Sequence, residues 1–263
     1  MSINLEQKIT LLIFTGLFFV LYFGCDTTSK EIQDLEKSRN VNVQYLDINR
    51  EIRAKIDELP TADQVILEQW QVNLDESLEE EQKIEILKKI SGKWYDSGQP
   101  LIASHYAAKI AELEKSDSAW AIAGSTAYIA MVSAKDENPK KYAQQQAVEG
   151  FEKAISIAPE RVDYKINHAL TFVEMPPKEN PMKGITMLLD LEKNNPDSSA
   201  VHLQLGRLAL QTNQIEKAIV RFEKVINLEP NGREAHCYLV EIYRKQQDKA
   251  KVDYHSKFCL EDN

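Results

Sequence analysis

A pattern that recurs about every 34 residues constrains the fold of this chain more than any other feature. Its clearest copy has small residues at Gly206 and Ala218, an aromatic residue at Phe222 and a proline at Pro230. Repeats of this period predict stacked copies of one supersecondary unit, because each unit buries its apolar face only against its neighbours. The same ladder of residue types recurs clearly at 147–159 and in a weaker form at 184–196.

Each residue type in the ladder has a packing role in a pair of antiparallel helices. Gly206 and Ala218 are expected where two helices cross closely, since a larger side chain would push them apart. Phe222 is expected to fill the gap between one pair and the next. Pro230 ends the second helix because proline has no backbone N–H to donate. The pattern therefore predicts an all-α fold of stacked helix pairs, with the turn of this pair near Asn213.

These residues resemble the tetratricopeptide repeat (TPR) family, whose unit is a 34-residue pair of antiparallel helices. The resemblance implies a TPR-like α-solenoid over residues 61–263, whose concave inner face binds another protein or a peptide segment. Repeat residues of this kind are packing residues, so they specify the architecture and not the partner. The predicted helix pairs cover approximately residues 84–117, 118–160, 161–196, 197–230 and 231–263.

Residues 26–60 are interpreted as a charged, helical stalk that precedes the solenoid. Apolar residues recur there at steps of three and four, which is the spacing of one helix face. Pro60 follows the last of them and ends the helix. We expect a further helix, from about residue 63, to pack on the first pair as a cap.

Residues 1–25 are predicted to be a membrane anchor or a lipoprotein-type signal. Residues 9–25 carry no charged side chain, which suits the interior of a bilayer. Gly24 and Cys25 resemble a bacterial lipoprotein cleavage site, in which Cys25 would carry the lipid. Three alternatives stay open: an uncleaved single-pass anchor, which we favour, a lipidated Cys25, and a signal that is removed.

The charge beside the apolar segment predicts the compartment of the rest of the chain. Lys8 and the amino terminus precede the segment, and positive charge tends to stay inside, so residues 26–263 are expected outside a bacterial cytoplasm. This layout is similar to that of accessory factors of cytochrome c maturation. It implies an assembly or adaptor factor, and the alternative is a self-associating structural tether. The oligomeric state and the choice between inner and outer membrane stay open.

Composition and motifs argue against two other classes of function. The net charge is −9, and no basic face dominates, so nucleic acid is not an expected partner. The sequence has no HExxH, CxxC, GxSxG or phosphate-loop pattern, so we expect neither an enzyme nor a resident cofactor. His202 and His236 occupy the same place in successive repeats, where partial burial is favoured over a metal site.

Two cysteines lie in the last predicted pair, at ends that antiparallel packing brings together. Cys237 is near the start of the first helix, and Cys259 is near the end of the second. A disulfide is conceivable in an oxidising compartment. Free, buried cysteines are the favoured interpretation.

The first helix of each pair is expected to line the inner face and to hold the partner, as a helix or as an extended peptide. The lysine–asparagine clamp by which some TPR proteins hold acidic tails is absent. Leu203 and Cys237 stand in the lysine places, and Arg207 and Glu241 stand in the asparagine places. The predicted partner-binding residues are Asn167, Glu174, Gln204, Arg207, Gln211, Tyr238, Glu241, Arg244 and Lys245.

Overall fold

The computed structural model describes residues 46–259, so the predicted anchor, Cys25 and residues 26–45 of the predicted stalk lie outside the described residues. Within that range the chain forms twelve α-helices and no strand. No helix among them combines the length and the apolar character needed to cross a membrane. The helices are α1 (Ile48–Ile56), α2 (Thr61–Glu76), α3 (Glu80–Asp96), α4 (Pro100–Glu114), α5 (Asp117–Ser133), α6 (Glu137–Ile157), α7 (Val162–Glu174), α8 (Lys183–Asn194), α9 (Ser199–Gln211), α10 (Ile215–Leu228), α11 (Arg233–Lys245) and α12 (Lys249–Cys259).

Helices α3 to α12 form five consecutive pairs, each a first helix packed against the second helix that follows it. The second helix of one pair also packs against the first helix of the next, with a smaller interface between α8 and α9 than elsewhere. Apolar side chains from adjacent helices form a series of core clusters along the stack. The predicted all-α, TPR-like architecture is confirmed over the described residues.

Three of the pairs turn at the same place through a residue with left-handed backbone. The φ angles are 72° at Gly98, 57° at Asn213 and 61° at Gln247. In each turn the N–H of the next residue donates to the carbonyl five positions earlier, at 2.8 to 3.0 Å between N and O. This bond pattern satisfies carbonyls that the end of the first helix leaves free. The turn at Asn213 is where the repeat pattern predicts it.

Small residues hold the helix crossings, although the contacts differ from those that the sequence suggests. A Cβ atom added to Gly206 would lie 2.7 Å from Cε1 of Phe222, so this glycine packs directly against the Phe222 ring. In the second pair, a Cβ atom on Gly150 would lie 2.7 Å from Cα of Gly124. Two backbones therefore touch where α5 crosses α6, and Gly150 is a crossing residue that the repeat pattern does not single out.

Helix α1 differs from the predicted stalk because it packs against the first pair. Its apolar face joins a cluster that contains Leu67 of α2 and the fully buried Trp94 of α3. An ion pair between Asp63 and Lys93, 2.6 Å between Oδ1 and Nζ, fixes α2 on the same pair. Both helices therefore cap the stack. Burial of their apolar faces against the first pair is more favourable than exposure of those faces to water. The packed side chains of this segment are Ile48, Ile52, Ile56 and Leu59.

Candidate functional site: the first-helix face

The first helices of the pairs (α3, α5, α7, α9 and α11) contribute to one surface, which we call the first-helix face. Between α5 and α7 it contains two adjoining cavities, of 400 and 240 Å³, which share Ser125, Ile129 and Asn167 as lining residues. Further along, Arg207 of α9 and Glu234 of α11 form an ion pair at 3.7 Å. We call the double cavity between α5 and α7 the central cleft.

The central cleft exposes large apolar side chains. Ile122 is 62% exposed and Ile129 is 41% exposed. They are seven residues apart, hence on the same side of α5. Tyr95, which is 47% exposed, lines the larger cavity from α3. Grouped exposed apolar residues with polar neighbours are typical of interaction surfaces rather than of plain solvated helix.

The charged side chains at the rim of the central cleft are bonded to one another, with the carboxylates of Asp117 and Asp163 on either side of the one guanidinium of Arg161. Arg161 donates two hydrogen bonds to Asp163, at 2.9 and 2.7 Å. The guanidinium holds the pKa of the Asp163 carboxyl below its usual value, mainly through these bonds. Tyr164 donates its hydroxyl proton to Asp117 at 2.8 Å, and burial raises the pKa of that hydroxyl. The rim therefore presents bonded ions, while the cleft itself is largely neutral.

Three of the sequence-predicted residues lie near Tyr128 of α5. Burial raises the pKa of Tyr128, the nearby carboxylate of Glu174 raises it further, and Arg207 lowers it. Tyr128 lines the smaller cavity together with Asn167. The predicted residues Asn167, Glu174 and Arg207 are thus brought to one region of the first-helix face.

The other predicted residues do not join the central cleft. Gln211 lines a separate cavity of 710 Å³ formed by α7, α8, α9, α10 and the loop before α8. The ring of Tyr238 stacks on Phe222, with 4.8 Å between the ring centres, so much of its surface serves packing between pairs. Gln204 is half-buried on α9. The remaining three lie exposed on α11, where Glu241 and Lys245 form an ion pair at 3.1 Å beside Arg244.

Several cleft residues are missed by the sequence reasoning. The repeat register transfers cleanly to the last two pairs, but extra residues in the second and third pairs interrupt it. The signal that could have found them is the pair of isoleucines seven positions apart on the alanine-rich helix α5. The missed residues are Tyr95, Ile122, Ser125, Tyr128, Ile129 and Leu170.

The two repeated histidines have a structural role. Nε2 of His202 lies 2.8 Å from the carbonyl oxygen of Pro196, and Nε2 of His236 lies 3.0 Å from that of Pro230. Each imidazole thereby bonds the proline that follows the preceding pair. The Nδ1 atoms of His236 and His255 are 2.9 Å apart. Among residues 46–259, no group of three or more histidine, cysteine or acidic side chains could hold a metal ion.

Cys237 and Cys259 form a disulfide, and the preference for free cysteines is wrong. The antiparallel helices α11 and α12 bring the two Cα atoms to 4.9 Å, within the range that a disulfide spans. The Nε–H of Arg233 donates to the carbonyl oxygen of Cys259 at 3.1 Å. The disulfide therefore links the end of α12 covalently to the start of α11.

A further cavity, of 270 Å³, lies between α4, α5 and α6. His105 lines it, and its buried Nε2 atom has no hydrogen-bond partner within residues 46–259. Burial lowers the pKa of His105 to about 4, with a smaller contribution from Lys109. This imidazole is consequently neutral at pH 7.

Comparisons with known proteins give a distant structural likeness. No protein-family model matches the sequence, and no curated protein matches it either. MamA from Desulfovibrio magneticus RS-1 is 17% identical over 67% of this chain and 93% of that chain, with a TM-score of 0.42. YrrB, a TPR protein with an unusual peptide-binding site, is 16% identical over 66% of this chain and 84% of that chain, with a TM-score of 0.37. PilF from Pseudomonas aeruginosa is 17% identical over 70% of this chain and 79% of that chain, with a TM-score of 0.46. The TPR-like description of the fold rests on the helix pairs and crossings above.

Proposed function

We propose that this chain is a membrane-tethered TPR-like scaffold that binds another protein or peptide segment on its first-helix face. It acts outside the cytoplasm as an assembly or adaptor factor, in a layout similar to that of accessory factors of cytochrome c maturation. It performs no chemistry of its own in this role. The partner is held while residues 9–25, or a lipid on Cys25, keep the chain at the membrane.

The observation that carries this proposal is the central cleft with its exposed isoleucines. Binding of a partner would bury the exposed side chains of Ile122 and Ile129, which is energetically favourable. The cavities around them leave room for side chains of that partner. Binding sites are commonly concave, apolar and lined by a few polar groups. Ser125 and Asn167 supply such polar groups here.

Two features support the proposed compartment. The disulfide between Cys237 and Cys259 is of a kind that persists mainly in oxidising compartments. Residues 9–25 are free of charge and follow Lys8. Mass spectrometry of the native amino terminus tests the tether: an intact Met1 or an acylated Cys25 supports it, and a chain that begins after residue 25 without a lipid contradicts it.

Co-purification from native membranes tests the binding role. The tagged full chain is compared with Ile129→Arg, which places a charge in the central cleft, and with the matched variant Val220→Arg. Val220 is 64% exposed on α10, a second helix. We expect one reproducible set of retained proteins to be lost with Ile129→Arg and kept with Val220→Arg, provided that both variants keep the wild-type circular dichroism. Equal retention by all three chains would contradict the proposal.

Light scattering of the full chain in nanodiscs separates this role from a structural tether. We expect one copy per particle at every dilution. A mass that rises with concentration would favour self-association instead.

A further inference from the structure

We propose that the 710 Å³ cavity between α8 and α10 binds a long-chain fatty acid, with its alkyl chain against α8 and α9 and its carboxylate at Lys217. We call this space the α8–α10 cavity. It shares no lining residue with the central cleft, so the inference goes beyond the proposed binding of a protein partner. Its supports are the packing of α8, an apolar wall, a cation without a counter-ion and the size of the cavity.

The packing of α8 explains why a cavity forms here. Residues 175–182, three of them proline, separate α7 from α8, whereas only residues 212–214 separate α9 from α10. A Cβ atom on Gly184 would lie 2.5 Å from the backbone N of Val173, so α8 lies directly against α7. Its interface with α9 is smaller than its interface with α7. A gap therefore stays open between α8 and α10.

One wall of the α8–α10 cavity is apolar. Ile185 and Leu189 of α8 line it, together with Leu205 and Leu208 of α9. Leu189 is 45% exposed, and Met182, which also lines the cavity, is 57% exposed. Contact with an alkyl chain would remove this surface from water, which is favourable in proportion to the apolar area buried.

The opposite wall, from the turn before α10 and from α10 itself, is polar and holds a cation without a counter-ion. Nζ of Lys217 donates to Oε1 of Gln214 at 2.7 Å and forms no ion pair within residues 46–259. Arg221, by contrast, is ion-paired with Glu192. No acidic side chain of the described residues lines the cavity. An apolar ligand with one negative charge is therefore complementary, since its carboxylate would accept a charge-assisted hydrogen bond from Lys217.

The size of the cavity favours a slender ligand over a helix of a partner protein. Three turns of helix, about 16 Å long and 10 Å across, occupy about 1,300 Å³. The α8–α10 cavity measures 710 Å³, which is within the usual range of small-molecule sites. A single alkyl chain fits such a space, whereas a helix does not.

Photolabelling of the full chain in nanodiscs of zwitterionic lipid tests the inference. The probes are hexadecanoic acid with a diazirine near its methyl end and the alcohol of the same chain, and peptide mass spectrometry locates the adducts. Leu189→Asp places a charge on the apolar wall, and Val220→Asp is its control, 64% exposed on α10 and outside the cavity. Lys217→Gln removes the cation, and Lys193→Gln is its control, likewise exposed but not a lining residue.

We expect adducts on α8 and α9 that an excess of unlabelled acid removes. Leu189→Asp should lower labelling by both probes at least about tenfold, because the apolar contact is lost. Lys217→Gln should lower labelling by the acid about two- to fivefold, the usual effect of an exposed ion pair, and leave labelling by the alcohol unchanged. Both control variants should be labelled like the wild type.

Three results would overturn the inference: no adducts in the cavity, adducts spread equally over exposed apolar residues elsewhere, or equal losses of acid and alcohol labelling in Lys217→Gln. Circular dichroism checks that each variant is folded. If Leu189→Asp is not, the exposed position of Lys217 still decides the result. The proposed scaffold role has its own test, the retention of native proteins by Ile129→Arg and Val220→Arg, and it does not depend on this site.

Discussion

Two glycines of the first pair show how a single backbone angle decides the effect of a side chain. A Cβ atom on Gly92 or on Gly98 would meet nothing within 4 Å. Gly92 lies inside α3, whereas Gly98 has a φ of 72° in the turn that follows. Both positions have room for a Cβ atom, so the backbone conformation alone decides how a side chain at each affects stability.

Replacing each of these glycines with alanine should therefore have opposite effects. Gly92→Ala should raise the free energy of unfolding by about 0.5 to 1 kcal/mol, because alanine favours the helix. Gly98→Ala should lower it by about 1 kcal/mol, because a Cβ atom is strained at positive φ. Urea denaturation of the full chain in nanodiscs measures both, and shifts of the same sign would contradict the assignment.

His105 makes the stability depend on pH. Its pKa is lowered to about 4 in the folded chain and is near 6.5 when unfolded. Between these values the unfolded chain binds more protons, so the contribution is complete above pH 6.5 and is lost as the pH falls towards 4. Between pH 7.5 and 4.5, the free energy of unfolding of His105→Gln should therefore fall by up to about 2 kcal/mol less than that of the wild type.

Urea denaturation at several pH values measures this difference. His168 and His255 also have pKa values lowered, chiefly by burial, so they act in the same direction and persist in the variant. The prediction therefore concerns the difference between wild type and His105→Gln. Identical pH profiles of the two chains would contradict it. The sequence could not have indicated this effect, since the burial of His105 depends on how α4, α5 and α6 pack.

At the scale of helices, the repeat predicted pairs well where its register is intact and poorly elsewhere. The helices of the fourth pair follow from Gly206, Phe222 and Pro230 and their spacing. The extra residues of the second pair could have formed a loop, but they lengthen the helices, and α6 extends over Glu137–Ile157. Polar segments of this kind become helix or loop according to what they pack against, and that contact is not encoded locally. The docking of α1 was missed for the same reason.

The disulfide adds a covalent link to the packing that holds the last helix. His255 is the one buried residue of α12 within the described part of the chain, and the ring of Phe258 stacks on His236 of α11 with 4.4 Å between the ring centres. The double variant Cys237→Ser, Cys259→Ser should lose about 3 kcal/mol of stability in the chain-entropy model for a loop of this length. Hydrogen exchange of α12 should become faster, while exchange in α5 and α6 should not change.

Reduction provides the control for this prediction. Dithiothreitol should reproduce the faster exchange of α12 in the wild-type chain and have no effect on the double variant. Unchanged exchange of α12 in both cases would mean that packing alone holds the last helix.

At the scale of the whole molecule, most of the partner-binding residues predicted from the sequence and the central cleft lie on different parts of the first-helix face. First helices form the candidate site, as expected from the resemblance. The predicted residues, however, concentrate on α9 and α11, where the side chains pair with one another or pack, as Arg207 does with Glu234 and Tyr238 with Phe222. The cavities lie between α5 and α7, because the depth of a cleft depends on neighbouring side chains from several helices. No periodic pattern reports that depth.

Photocrosslinking in native membranes tests the central claim most directly. A photoreactive residue is placed at Ser125 or Asn167 in the central cleft, or at Val220 on a second helix as the control. The account predicts adducts with one and the same partner from Ser125 and Asn167, and none from Val220. Adducts from Val220 with that partner, or none from either cleft position, would contradict it.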